Sequence, residues 1–140
     1  MPFWFLLSLS AAVLWGFQYS SYGAKLTTIP VTVFTFYYYA GVAIISAVVV
    51  LSVNPISSLV VPRAQWGWMA SQLVVGAIAS LLIAKSIQAQ NASQASMVEI
   101  AYPAFVVLFG YILFKEDLPT VRQMLGGCLV FGGVLLILSK

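Results

Sequence analysis

The sequence predicts an all-α integral membrane protein, a bundle of five transmembrane helices that forms a single domain over residues 1–140. Composition supports this prediction, because 62% of the residues are apolar and only six Lys or Arg and three Asp or Glu are charged. A soluble domain of this length would carry about 35 charged residues. The mean hydropathy of +1.04 is spread along the whole chain, which excludes a soluble domain on one anchor. We therefore expect a multi-pass protein of the cell (inner or plasma) membrane, surrounded by the lipid bilayer.

Five apolar stretches are long enough to cross a bilayer, which takes about 20 helical residues at 1.5 Å rise each. In chain order the predicted spans are Phe3 to Tyr22, Pro30 to Val53, Trp66 to Ile87, Ala92 to Phe114 and Val121 to Ser139. The connectors are too short to hold a soluble domain. The spans should therefore form one compact bundle of hairpins.

The ends of the first three spans have ordinary causes. The segment from Lys25 to Pro30 turns the chain after the first span, and Asn54 begins the longest polar connector after the second. Trp66 and Trp68 place the start of the third span at the membrane interface, where tryptophan is enriched.

The fourth span contains Pro103, four residues after Glu99. Proline has no N–H, so the Glu99 carbonyl loses its helical partner and we expect a kink there. The fifth span follows a predicted capping box, in which Thr120 accepts a hydrogen bond from a free backbone N–H and Gln123 reaches back to Thr120.

The residue types argue against an enzyme. The chain has no His and a single cysteine, Cys128, so it offers no conventional metal cluster, no Ser/His/Asp set and no disulfide framework. No cofactor or metal is expected. The six cations are scattered, without the basic run that would indicate a nucleic acid partner.

The charges give no preferred orientation in the membrane. Three cations fall on each side of the predicted bundle: Arg63, Lys115 and Arg122 with the N-terminus, and Lys25, Lys85 and Lys140 with the C-terminus. The positive-inside rule therefore fixes no single topology, and insertion in both orientations is one hypothesis. The alternative is that a chain with few charges gives an undecided count.

Two ionisable residues, Glu99 and Lys85, fall inside predicted spans. An intramembrane charge costs at least ~2.5 kcal/mol near the bilayer centre and is by default a functional-site hypothesis. Glu99 should lie about 10 Å and Lys85 about 3 Å from the membrane side that carries the C-terminus. The long lysine side chain could span this difference in depth between the two residues.

Polar and aromatic residues near the level of Glu99 complete a predicted substrate-binding layer. Its further members are Trp15, Gln18, Tyr37, Tyr38, Tyr39, Gln88, Tyr102 and Pro103. Aromatic faces bind organic cations, and a carboxylate can exchange a proton for such a substrate. The alternative is structural, with Lys85 and Glu99 forming an ion pair between helices and the tyrosines serving only in packing and hydrogen bonding.

Small residues predict close contacts between helices. They are Gly76, Ser80 and Ala84 in the third span and Gly126, Gly127, Gly132 and Gly133 in the fifth. In lipid, such faces mark packing surfaces, which can lie within one chain or at a dimer interface.

Several motifs resemble the EamA domain of the drug/metabolite transporter superfamily. They are Ala11-Ala-Val-Leu-Trp-Gly16 with Lys25, Glu99-Ile-Ala-Tyr-Pro103, Leu113-Phe-Lys-Glu116, Gly126-Gly and Gly132-Gly-Val-Leu-Leu-Ile137. The resemblance marks Trp15, Gly16, Pro103 and Glu116 as family-like positions. A cationic position often seen in span two of the family appears here as the run Tyr37 to Tyr39. Glu116 also suits a solvated turn before a helix N-terminus.

The long form of this superfamily resembles two five-span units in tandem and in inverted orientation, and this chain resembles one unit. The resemblance implies a partner of opposite orientation, either a second copy in an antiparallel homodimer or a homologous membrane subunit. We predict a secondary transporter, an exporter of small metabolites or cationic amphiphilic compounds. The alternatives are a non-transporting partner subunit and half of a heteromeric lipid or metabolite flippase.

Overall fold

The computed structural model describes residues 3–55 and 59–138, and in these residues every regular element is a helix. The α-helices are α1 Phe3–Lys25, α2 Val31–Val53, α3 Trp66–Ala89, α4 Ala92–Glu99, α5 Tyr102–Phe114 and α6 Val121–Leu138, and a 3-10 turn, Arg63–Gln65, precedes α3. The predicted all-α class is confirmed. The predicted end of the fifth span at Ser139 lies outside the described residues.

Four helical segments of the described chain are long and apolar enough to cross a membrane. They are Phe3–Lys25, Val31–Val53, Arg63–Ala89 and Ala92–Phe114, and α6 adds a shorter apolar helix over Val121–Leu136. This arrangement agrees with a membrane bundle of five helical segments.

Two helices extend beyond their predicted ends on the same side of the bundle. α1 continues to Lys25, and the Leu26 N–H still donates to the Tyr22 carbonyl at 2.9 Å. α3 continues to Ala89, and the Gln90 N–H donates to the Ser86 carbonyl at 3.1 Å. Polar residues end an apolar stretch without ending a helix, because the backbone keeps its hydrogen bonds for another turn near the interface.

The predicted kink in the fourth span is a break between α4 and α5. The Ala101 N–H donates to the Val98 carbonyl at 3.2 Å, a tighter turn than an α-helix makes, and the Ala104 N–H donates to the Ala101 carbonyl at 3.1 Å. Pro103 lies in the first turn of α5, where its missing N–H costs no helical hydrogen bond. Glu99 is consequently the last residue of α4.

The helices pack around α3. It packs most extensively on α4, and α1 lies against both of them, whereas α2 packs on α3 and α6 on α4. At one end of the bundle Leu26, Val31 and Ala84 form a buried cluster where the α1–α2 turn meets α3. α1 also crosses close to α4, since a Cβ added at Gly23 would lie 3.0 Å from the Ala92 Cβ.

The small residues of α3 face α2 within the same chain. The Tyr39 hydroxyl donates to the Gly76 carbonyl at 3.2 Å and shares a hydrogen bond with the Ser80 hydroxyl at 2.5 Å. Ala84 continues this face into the buried cluster. Among the described atoms none lies within 4 Å of a Cβ built at Gly76, nor of one built at Gly126, Gly127, Gly132 or Gly133 of α6. The role of these glycines in close helix packing stays a prediction.

The loop between α5 and α6 has the predicted capping box at its end. The Thr120 N–H donates to Gln123 Oε1 at 2.8 Å, and the Gln123 N–H reaches the Thr120 hydroxyl at 3.5 Å. The loop begins at Lys115, which ends α5 in the left-handed conformation with φ 56°. The Glu116 N–H then donates to the Gly110 carbonyl at 3.1 Å, which folds the Glu116 side chain over Gly110.

Candidate substrate-binding site

Glu99 at the end of α4 is joined to Tyr19 of α1. The Tyr19 hydroxyl donates to Glu99 Oε1 at 2.9 Å, and both side chains are half-buried. Tyr19 precedes the end of α1 by six residues and Glu99 follows the start of α4 by seven, so each lies about 10 Å inside its helix end. The hydrogen bond therefore lies within the membrane-spanning part of the chain.

Six aromatic rings extend from this hydrogen bond across α1 and α2, and we call them the aromatic row. Neighbouring ring centroids are 4.8 to 6.1 Å apart. The closest contact, at 4.8 Å, joins Tyr22 of α1 to Phe34 of α2. In order, the row consists of Trp15, Tyr19, Tyr22, Phe34, Tyr38 and Tyr39.

Hydrogen bonds fix three of the hydroxyls in the aromatic row. Tyr19 donates to Glu99, Tyr22 accepts from Gln18 Nε2 at 2.6 Å, and Tyr39 bonds to α3. Within a bilayer no water is present to satisfy these groups, so their partners must come from the protein or a ligand. The protein itself therefore holds these three tyrosines of the row in place.

Besides Glu99, the structure brings four of the predicted layer residues to this site. Trp15, Tyr38 and Tyr39 belong to the aromatic row, and Gln18 holds Tyr22. Trp15 is 51% exposed, so its end of the row is open at the side of the single chain.

Other predicted residues lie elsewhere. Tyr37 is 70% exposed and contacts Phe36 instead of the row, and Tyr102 is 60% exposed. Lys85 is exposed, and it has no ion-pair partner within residues 3–55 and 59–138. Glu99 is bonded to Tyr19, so the hypothesis of a Lys85–Glu99 pair finds no support in the geometry.

Gln88 and Pro103 affect the main chain near the site and are not part of the aromatic row. Gln88 Nε2 donates to the Leu26 carbonyl at 2.8 Å and thereby ties the α1–α2 turn to α3. Pro103 defines the break that makes Glu99 the last residue of α4. Neither side chain lies in the aromatic row.

Sequence reasoning missed Tyr19, Tyr22 and Phe34. A signal existed for Tyr19, which lies at the depth of Glu99 and one turn from Trp15. The apolar pattern predicts the end of the first span at Tyr22, whereas α1 continues to Lys25. Phe34 has no polar group, so nothing in its residue type marked it.

A carboxylate next to aromatic faces can bind an organic cation. The carboxylate supplies the opposite charge, and the ring faces add cation–π attraction that strengthens when water is excluded. Among the residues that the structure describes, no group of three or more His, Cys, Asp or Glu could hold a metal ion.

Comparison with known proteins gives one result. A family model described as the EamA-like transporter family matches residues 2–139. No curated protein and no solved structure matches the chain.

Proposed function

We propose that this chain, which belongs to the EamA-like transporter family, is a secondary exporter of cationic amphiphilic compounds or small metabolites that works as an antiparallel dimer. Membership of the family makes the protein a multi-pass membrane transporter of the drug/metabolite transporter superfamily. The direction of transport, the substrate and the dimer belong to the proposal.

The observation that carries the proposal is the hydrogen bond between Tyr19 and Glu99 at one end of the aromatic row. A carboxylate this far inside a span is costly unless it is paired or exchanges its charge for a proton. An organic cation would offset that cost at Glu99 while its apolar groups lie against the rings. Alternation between the bound cation and a bound proton would couple export to proton entry.

The open side of the site supports the proposal that a second copy of the chain completes it. Trp15 and Glu99 lie at the surface of α1 and α4 without full cover from the chain, and α5 packs only sparsely on other helices of the described chain. A single unit would therefore form only one wall of a transport path. A copy in the opposite orientation would supply the other wall, and alternating access would rock one unit against the other.

Accessibility of single cysteines tests the dimer. The test uses a Cys128→Ala background with Thr28→Cys or Asn54→Cys, which lie at opposite ends of α2. We expect each site to react with a membrane-impermeant maleimide from both sides of the membrane, because some copies of the chain insert in one orientation and the others in the opposite one. Labelling of each site from one side only would contradict the homodimer. It would support the alternative of a companion subunit with opposite topology.

Flux of tetraphenylphosphonium through the purified protein in proteoliposomes tests the site. We expect Tyr19→Phe to raise KM on the order of tenfold, because a hydrogen bond to a charged group contributes about 1.5–3 kcal/mol and Tyr19 orients the carboxylate. Tyr37→Phe is the matched control, since Tyr37 lies outside the row and should leave KM unchanged.

Two outcomes would contradict the proposal. Equal KM values for Tyr19→Phe and Tyr37→Phe would remove Tyr19 from the site. Absence of flux with the wild-type chain alone, restored by a homologous membrane protein, would favour the alternative of a partner subunit or half of a heteromeric flippase.

A further inference from the structure

A cleft of about 380 Å³ opens at the end of the bundle that contains the α1–α2 turn and the α3–α4 hairpin. Its polar lining consists of hydroxyl and amide side chains, chiefly Ser20, Tyr22, Thr27, Gln88, Asn91 and Ser93. None of the described residues that line it is charged. The cleft therefore suits a neutral group that both donates and accepts hydrogen bonds.

Part of this hydrogen-bonding capacity is already used by the protein. Ser20 donates to the Gly16 carbonyl at 2.9 Å, Gln88 Nε2 donates to the Leu26 carbonyl at 2.8 Å, and Asn91 Oδ1 accepts from the Gln94 N–H at 2.8 Å. These bonds hold the walls of the cleft in place.

Other polar groups of the cleft have no partner among the described residues. Within the part of the chain that the structure describes, the hydroxyls of Thr27 and Ser93 make no hydrogen bond, and the side-chain carbonyl of Gln88 is likewise open. A hydroxyl donates and accepts, so two of these groups can bind a ligand hydroxyl or amide from opposite sides.

The cleft adjoins the aromatic row at Tyr22. Tyr22 lines the cleft, and its ring lies 6.1 Å from that of Tyr19, which donates to Glu99. Ser93 precedes Glu99 by six residues, so the two backbone positions are about 9 Å apart along the axis of α4. An elongated molecule of about this length would span the axial distance between the cleft and Glu99.

We infer that the cleft binds the neutral, hydrogen-bonding end of the transported molecule while the cationic end lies at Glu99. This inference rests on the proposed function and narrows its substrate class. The substrate is an amphiphilic amine or quaternary ammonium compound that carries a hydroxyl or amide about 9 Å from its charge.

Two matched probes test this inference. One is a trimethylammonium compound with a six-carbon chain that ends in a hydroxyl, and the other carries a methyl group in place of that hydroxyl. Each probe competes with tetraphenylphosphonium transport by the full chain in proteoliposomes, which gives an inhibition constant. The quantity compared between protein variants is the ratio of the two inhibition constants.

We expect the Thr27→Val and Ser93→Ala double substitution to reduce the preference for the hydroxyl probe about fivefold or more, because a hydrogen bond between neutral groups contributes about 1 kcal/mol. Affinity for the methyl probe should stay within about twofold, since Val matches the shape of Thr and no charge changes. The matched control is Thr32→Val with Ser46→Ala, both exposed on α2. Thr27→Ser, which keeps a hydroxyl, should keep the preference even if the double variant folds poorly.

The outcomes separate the inference from the proposed function. If both probes inhibit the wild-type chain and the double variant keeps the wild-type ratio, the cleft does not bind the neutral end and the inference is overturned alone. If neither probe inhibits transport by the wild-type chain, the proposed function fails and the inference fails with it.

Discussion

Replacing Glu99 by Gln is expected to lower the transport of tetraphenylphosphonium by about a hundredfold or more. The substitution removes the charge and nearly keeps the shape, and a glutamine oxygen can still accept the hydrogen bond from Tyr19. Loss of one partner from a buried ion pair costs about 3–5 kcal/mol, which corresponds to more than a hundredfold in affinity. Initial uptake rates in proteoliposomes, normalised to the protein inserted, measure the effect.

Two variants control for this result. Glu99→Asp keeps the charge on a shorter stem and should retain part of the flux. Asp117→Asn removes a carboxylate from the exposed loop between α5 and α6 and should leave the flux unchanged. If Glu99→Gln keeps more than half of the wild-type rate, Glu99 does not bind the cation and the proposed mechanism is wrong.

Replacing Ala84 by Leu is expected to produce a large loss of stability. Ala84 is 2% exposed and packs with Leu26 and Val31 where the α1–α2 turn meets α3. Additional carbon atoms at a filled position force side chains and backbone apart, at a cost of about 1–3 kcal/mol. We expect the melting temperature of the protein in detergent to fall by roughly 5 °C or more.

Ala79→Leu is the matched control, because it makes the same change at an exposed position of α3. It should leave the melting temperature nearly unchanged. Equal losses for Ala84→Leu and Ala79→Leu would mean that the buried cluster does not hold the α1–α2 turn against α3.

Local features were predictable from the sequence because short-range rules determine them. Pro103 lacks an N–H wherever the helix lies, so the break near Glu99 followed from residue type alone. The capping box of Thr120 and Gln123 needed only the spacing of two residues. Depth in the membrane was equally accessible, because it depends on counting residues along a helix.

The helix face on which each side chain lies could not be predicted from the sequence in this way. Successive residues of an α-helix point about 100° apart, and the sequence does not state which direction faces a neighbour. Tyr38 and Tyr39 belong to the aromatic row while Tyr37 lies outside it, although all three are tyrosines at nearly the same depth. Depth alone predicts Lys85 in the site, whereas Glu99 is hydrogen-bonded to Tyr19 and not to Lys85.

The break between α4 and α5 also affects the electrostatics of the site through the peptide dipoles. A helix carries up to about half an elementary negative charge at its C-terminus and the same positive charge at its N-terminus. Glu99 lies at the negative end of α4, and Pro103 removes one N–H from the positive end of α5 that follows. The negative end of α4 and the positive end of α5 therefore meet at this break, and their partial charges largely offset each other. The fixed charge of the site consequently comes from the Glu99 side chain, and a Glu99→Gln protein should lose its preference for cations over anions.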